Sequence, residues 1–263
     1  MFAKKLITKA FWRLQYWRLS YSLLLAGLMP VLAAQGVMLK QQALRLPPAR
    51  GLPHGLLGAG RRLRLLGLGD SIIAGVGATQ QEQSLIAQLA GRVAMRTQSS
   101  VYWRNVGLSG ADTQTLVDTL LNQMDADPYD VIVISTGVND VTALKSSRHW
   151  RACIRQLCEA LAKHSPDAHI LLLGLPPFAD FPLLPQPLRT LFALRAKIFD
   201  GMSQTIVNQR PGFYFIPSDF SLEPHEFAMD GYHPSSASYA RWAEYIDQYW
   251  QDSLTTRQKQ RPK

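Results

Sequence analysis

The sequence lacks acidic residues over its first 69 positions, since all 19 Asp and Glu side chains lie between Asp70 and Asp252. Of the 28 basic residues, 11 precede Leu65 and four follow Asp252, which leaves 13 basic and 19 acidic residues, a net charge of −6, in between. The formal charge of +9 therefore belongs to the two ends. A mildly acidic body argues against a nucleic-acid-binding protein.

Cysteine is scarce, and no metal-ligand motif is present. Cys153 and Cys158 lie five residues apart in a segment with helical periodicity, which places their side chains on different faces and too far apart for a disulfide. We expect both to be small buried residues. The six histidines are scattered, and no pair has ligand spacing beside a carboxylate. The sequence therefore predicts neither a metal site nor a cofactor.

The amino-terminal segment 1–39 contains a long uncharged run, Leu19–Leu39, which could cross a bilayer as a helix. Basic residues interleaved with aromatic ones precede it, as at a cytoplasmic membrane interface: Lys4, Lys5, Lys9, Arg13 and Arg18. We interpret the segment as a signal anchor that leaves the protein facing the periplasm or the outside. A cleaved signal peptide would instead give a secreted protein, and an internal amphipathic helix is the third alternative.

Composition divides the rest of the chain into three parts. Residues 40–61 are rich in Pro and Gly, which favours a linker, and we expect no contribution to activity from anything before about Gly60. Residues 62–252 form the predicted folded domain, and residues 253–263 are a polar, basic tail predicted to be disordered.

Within the domain, short apolar runs alternate with helical periodicity, which is typical of parallel strands joined by crossover helices. The pattern predicts five parallel strands: Leu63–Leu68, Val101–Val106, Val131–Ser135, Ile170–Gly174 and Phe213–Ile216. In such sheets the ligand site lies beyond the carboxyl ends of the strands. Small polar clusters follow the first three strands as GDS, SGADT and GVND, and DGYHP follows the fifth after a loop. Turn formation explains any one of these clusters, but four on one sheet edge indicate a site.

The residue types in these clusters fit acyl transfer. A serine hydroxyl becomes a good nucleophile when an imidazole takes its proton and a carboxylate fixes the imidazole tautomer. Asp230 and His233 are three residues apart, so a turn can bring them together, and Ser71 lies at the end of the first strand. Donors for a developing oxyanion could come from the amides of Ser71 and Gly110 and from the side chain of Asn139.

The ordered blocks GDS, SGADT, GVND and DGYH resemble those of the SGNH hydrolases, also called the GDSL esterase and lipase family, over roughly Leu63 to Tyr249. The resemblance implies a three-layer α/β/α sandwich of the flavodoxin-like type. It also implies Ser71 as nucleophile, Asp230 and His233 as acid and base, and Ser71, Gly110 and Asn139 as the oxyanion hole. The chain departs from the family pattern with GDSI and with SGADT, and Gly107 is the less expected oxyanion donor.

We therefore expect a monomeric serine ester hydrolase, esterase-like or lysophospholipase-like, that cleaves a small-molecule or lipid ester through an acyl-enzyme intermediate. A membrane contact is expected through the amino-terminal segment. The alternatives are a carbohydrate O-acetyl esterase and a catalytically silent domain that binds glycans or lipids. Assays with chromogenic esters of different acyl length separate all three.

A proline-rich apolar stretch, LPPFADFPLLPQPLRTLF, follows the fourth strand and so emerges on the same edge. Its side chains either fold back onto the core, or they line a pocket for the acyl chain or touch the membrane. For the second possibility, we name Phe178 and Phe181 as substrate-binding candidates.

Overall fold

The computed structural model describes residues 27–39, 41, 44–219 and 223–259. Within these residues six strands form one sheet: β1 (His54–Leu57), β2 (Arg61–Gly69), β3 (Ser99–Gly107), β4 (Val131–Ser135), β5 (His169–Leu173) and β6 (Phe213–Ile216). The helices of the same residues are α1 (27–39), α2 (Leu85–Thr97), α3 (Thr113–Thr115), α4 (Val138–Thr142), α5 (Ser147–His164), α6 (Leu188–Asn208) and α7 (Ser236–Lys259).

The predicted α/β architecture is confirmed, but the predicted number of strands is wrong. Strands β2 to β6 are the five predicted parallel strands, whereas β1 pairs antiparallel with β3 and makes the sheet mixed. The sequence of β1, HGLL, is short, largely exposed and lies inside the predicted linker, so no apolar run marks it. Gly55 lets β1 approach its neighbour, because a Cβ there would lie 2.8 Å from Trp103 Nε1.

Helices cover both faces of the sheet. Alternate strand residues point to opposite sides, so Leu66 and Leu68 pack in one core with α5 and α6, while Leu65 packs in the other with α2 and α7. Helix α7 contributes the buried aromatic side chains Tyr239, Trp242 and Trp250 to the second core. Cys153 and Cys158 are buried free thiols in α5, as their helical spacing predicts.

The strand order positions the candidate site. The sheet runs β1-β3-β2-β4-β5-β6, so the chain leaves β2 for β3 on one side and later reaches β4 on the other side. Beyond the carboxyl ends of β2 and β4 this change of direction opens a crevice, the usual ligand site of such sheets. Gly69 at the end of β2 pairs in register with both Gly107 and Ser135.

Helices form both ends of the described part of the chain. Helix α1 packs on the body through Leu32, which is only 8% exposed. The first part of the predicted anchor, residues 19–26, lies outside the described residues. Among the helices that the structure describes, none has the length and apolarity needed to cross a membrane. Helix α7 extends to Lys259, into the predicted tail, while residues 260–263 lie outside the described residues.

Candidate active site

Ser71 lies in a tight turn directly after β2. The turn is closed by backbone hydrogen bonds, in which the amide of Ala74 donates to Asp70 O at 3.0 Å and the amide of Val76 donates to Ser71 O at 3.0 Å. The end of β3 can approach this turn closely because its last residue is Gly107. A Cβ at that position would lie 2.3 Å from Ala74 N. Gly107 therefore serves close packing, and the position of the Ser71 hydroxyl is fixed by the backbone around it.

The buried side chain of Asp70 stabilises this turn through hydrogen bonds. Its Oδ1 accepts hydrogen bonds from the amide of Ile72 at 3.1 Å and from Ser135 Oγ at 3.3 Å. Burial raises the pKa of the Asp70 carboxyl to about 6, although these hydrogen bonds act in the opposite direction. Between about pH 4 and pH 6 the folded state therefore binds more protons than the unfolded chain, and folding stability falls as the pH rises through this window.

An Asp70→Asn substitution is expected to remove this pH dependence. Asn retains an Oδ1 acceptor for both hydrogen bonds but does not ionise. The free energy of unfolding of the variant minus that of wild type should therefore be larger at pH 7 than at pH 4. The increase should be on the order of 3 kcal/mol for a pKa shift of this size. Urea unfolding of both proteins at the two pH values measures it, and a difference that stays constant with pH would contradict the assignment.

His233 connects the serine to a carboxylate. Its Nε2 lies 2.9 Å from Ser71 Oγ, and its Nδ1 lies 2.6 Å from Asp230 Oδ2. The second oxygen of Asp230 accepts hydrogen bonds from the amides of Tyr232 and His233, both at 3.0 Å. These contacts bring together three predicted residues, two of which are 162 positions apart in the chain.

The environment of Asp230 keeps its carboxylate ionised. Burial by itself would raise the pKa, but the hydrogen bonds from the His233 ring and from the two backbone amides outweigh it and lower the pKa below its ordinary value. An ionised, fixed carboxylate beside Nδ1 holds the proton on that nitrogen, so that Nε2 can accept one from Ser71.

Of the other two predicted residues, Gly110 lies in the loop after β3 and Asn139 lies at the start of the adjoining helix α4. Asn139 Nδ2 donates to Ala111 O at 2.8 Å, which joins the start of α4 to the loop after β3. Asp140 strengthens this junction by accepting from the amide of Thr113 at 2.9 Å. Gly110 has φ +84°, a conformation that favours glycine. Both residues line the same cavity as His233.

Two cavities meet at His233 and Tyr232. The first, here called the Ser71 cavity, has a volume of about 520 Å³ and is bordered by Ser71, Val138, Pro176, Phe181 and Trp242 among others. The second, here called the amino-terminal cleft, has a volume of about 560 Å³ and is lined by Gly110, Asn139 and residues of two apolar walls. One of these walls comes from residues 36, 39 and 44–46, which the sequence interpretation assigned to the anchor and the linker.

The two substrate-binding candidates have different surroundings. Phe178 is 1% exposed and packs in the core between Phe181 and Phe192, with ring centroids 5.2 and 5.9 Å away. Phe178 therefore folds back onto the core, which is one of the two alternatives given for this stretch in the sequence analysis. Phe181 is also buried but borders the Ser71 cavity, where its ring lies 5.1 Å from that of Tyr232.

Comparison with known proteins gives one family. The GDSL-like lipase/acylhydrolase family matches residues 68–241, about two thirds of the chain. A GDSL-like esterase of Mycobacterium tuberculosis is 27% identical over 209 residues. That match covers 73% of this chain and 63% of the relative, so the chain spans less than two thirds of that protein's length.

Solved structures show the same fold at low sequence identity. A lipase from a goat rumen metagenome has a TM-score of 0.59 at 20% identity, covering 70% of this chain and 96% of its own. A family 3 carbohydrate esterase of Clostridium thermocellum has a TM-score of 0.59 at 17% identity, covering 74% and 98%. The structure of TesA has a TM-score of 0.56 at 22% identity, covering 70% and 95%.

Proposed function

Because this chain belongs to the GDSL-like lipase/acylhydrolase family, we propose that it is a serine ester hydrolase that works through an acyl-enzyme intermediate. The observation that carries the proposal is the continuous line of contacts from Ser71 Oγ through the His233 ring to Asp230, at 2.9 and 2.6 Å. A surface histidine or a turn-forming aspartate would not require this alignment. The names of the relatives, which include an esterase and a lipase, support the same class of reaction.

In the first half of the reaction, Ser71 Oγ attacks the ester carbonyl carbon while His233 Nε2 takes its proton. The carbonyl oxygen becomes an oxyanion, and the amides of Ser71 and Gly110 and the side chain of Asn139 are the donors we assign to it. Collapse of this intermediate breaks the bond to the alcohol oxygen, which receives the proton from His233. The alcohol leaves, and the acyl group stays on Ser71.

In the second half, water replaces the alcohol. His233 Nε2 takes a proton from the water as its oxygen attacks the acyl carbon, and the proton then passes to Ser71 Oγ as the acid is released. Asp230 stays ionised throughout and stabilises the imidazolium that forms twice in each cycle. The lowered pKa of Asp230 supports this role.

The class of ester is part of the proposal. Carbohydrate esterases occur among the structural neighbours, so an O-acetyl substituent on a sugar stays the alternative substrate. The largely apolar walls of both cavities favour an ester with a longer aliphatic chain. Export of the catalytic domain, with the segment 1–39 retained or cleaved, stays a prediction from the sequence.

A phosphonate that reacts with activated serines tests the proposal on the full-length chain. We expect one covalent adduct per molecule, located on the peptide that contains Ser71, and loss of chromogenic ester hydrolysis in proportion to labelling. Denatured protein serves as the control, because an isolated serine is a poor nucleophile. Adduct formation elsewhere would contradict the assignment of Ser71 as the nucleophile, and a folded protein that neither labels nor hydrolyses any ester would favour the silent binding domain.

A further inference from the structure

The amino-terminal cleft has apolar walls and a polar end. At the polar end lie His233 and the assigned oxyanion donors Gly110 and Asn139. Its walls carry six large apolar side chains, three from α1 and residues 44–46 and three from the proline-rich stretch and the first turns of α6: Leu39, Leu44, Leu46, Leu183, Leu188 and Phe192. A cleft of this composition suits a flexible hydrocarbon chain whose polar end is held at the catalytic residues.

The amino-terminal wall is attached to the body by specific contacts. The Gln35 side chain donates from Nε2 to Gln186 O at 2.6 Å and accepts at Oε1 from the amide of Leu188 at 3.3 Å. Leu32, one helical turn earlier, is buried in the core, and Leu28 and Leu39 pack against the same core. Residues 28, 32, 35 and 39 therefore form one inward stripe of α1, while Val37 and Met38 are exposed on its outer side.

We propose that an aliphatic chain of the ester substrate lies in the amino-terminal cleft, and that α1 and residues 44–46 limit the chain length that is accepted. The inference rests on the proposed function, because the polar end of the cleft is the proposed oxyanion site. Each methylene buried between the walls should raise kcat/KM about fourfold until the cleft is filled. Specificity would then be determined in part by a segment that precedes the matched family region, residues 68–241.

Two glycines of α1 provide a matched test. Gly36 lines the cleft, whereas Gly27 is exposed at the other end of the described helix and does not line it. A Cβ added at either position has no neighbour within 4 Å outside the helix itself. Gly36→Phe therefore places a ring where the chain is proposed to lie, and Gly27→Phe makes the same change of helix propensity and volume outside the cleft.

The measurement is the ratio of kcat/KM for a long chain to that for a short one, in full-length wild type and both variants. One series varies the acyl group from acetyl to dodecanoyl with the alcohol fixed, and a second varies the alcohol from methyl to octyl with the acetyl group fixed. We expect Gly36→Phe to lower the long-to-short ratio at least tenfold in one series and Gly27→Phe to leave it unchanged. The affected series identifies whether the acid or the alcohol supplies the chain.

The ratio cancels any general loss of folded enzyme, and Gly36→Leu is measured in the same way if Gly36→Phe gives too little protein. Ratios in both series that match wild type in the Gly36 variants would overturn the inference while leaving the hydrolase intact. Equal effects of Gly36→Phe and Gly27→Phe would overturn it too, since they would indicate a general effect on α1. If wild type hydrolyses no ester in either series, the proposed function itself fails.

Discussion

Ser71→Ala is expected to lower the kcat for chromogenic ester hydrolysis by about 10⁴-fold to 10⁶-fold, the range expected for loss of a serine nucleophile. The substitution removes the Oγ that lies 2.9 Å from His233 Nε2 but leaves the backbone of the turn unchanged. The thermal unfolding midpoint should therefore stay close to that of wild type. Initial rates under saturating ester, with enzyme concentration raised for the variant, measure the effect.

Ser203→Ala provides the control for Ser71→Ala. Ser203 is a buried serine of α6 whose Oγ accepts a hydrogen bond from Trp150 Nε1 at 3.2 Å, so its loss also removes a hydroxyl from a packed region. We expect full turnover per folded molecule from this variant. If Ser71→Ala retained more than about one hundredth of the wild-type kcat, Ser71 would not be the nucleophile.

The contacts between Ser71, His233 and Asp230 could be expected from the sequence because each depends on local structure or on sheet geometry. Asp230 and His233 are three residues apart, and a single turn brings them together. Ser71 follows the first predicted strand and DGYHP follows the last, and parallel strands present their carboxyl ends at one edge. The long-range contact follows from these two facts and needs no knowledge of side-chain packing.

The amino-terminal wall of the cleft could not be predicted in this way. The run Leu19–Leu39 is uncharged and largely apolar, a sequence pattern compatible with a membrane span, a cleaved signal and a docked helix. Residues 40–61 are rich in Pro and Gly, which are as compatible with an ordered edge as with a linker. Docking of α1 depends on contacts with residues about 150 positions away, such as those between Gln35 and Gln186.

This packing also changes the expectation for a truncated protein. The sequence suggested that the chain could begin near Gly60 without loss of activity. The structure shows that residues before Gly60 supply Ala49 to one core, β1 to the sheet edge and three leucines to the cleft. Removal of residues 1–59 would therefore expose Trp103 and open one side of the cleft, so a minimal domain should retain α1.

Phe178 illustrates the same difficulty on a smaller scale. A proline-rich apolar stretch after a strand predicts only that the chain stays near the catalytic edge, and it does not predict which side chains turn inward. Phe178 packs in the core, whereas Leu183 and Leu188 from the same stretch line the cleft. Volume complementarity with Phe192 and Phe181 decides this outcome, and such contacts are not encoded in local sequence.

Asp230→Asn is expected to lower kcat by about 10³-fold to 10⁴-fold, although it changes one atom. In wild type, Oδ1 accepts hydrogen bonds from the amides of Tyr232 and His233, and Oδ2 accepts one from Nδ1–H of the His233 ring. The Asn oxygen can retain the two amide hydrogen bonds, which places the Asn amide nitrogen opposite Nδ1. That nitrogen only donates, so it favours the tautomer with the proton on Nε2, which cannot accept the proton of Ser71.

The effect should therefore appear in kcat, with little change in KM, because the apolar side chains of the cleft walls are not altered. Asp167→Asn, which removes the same charge from an exposed position, is the matched control and should behave as wild type. A loss below tenfold for Asp230→Asn would mean that the carboxylate does not select the His233 tautomer. The 2.6 Å contact would then serve the turn around Tyr232 rather than the proton transfer.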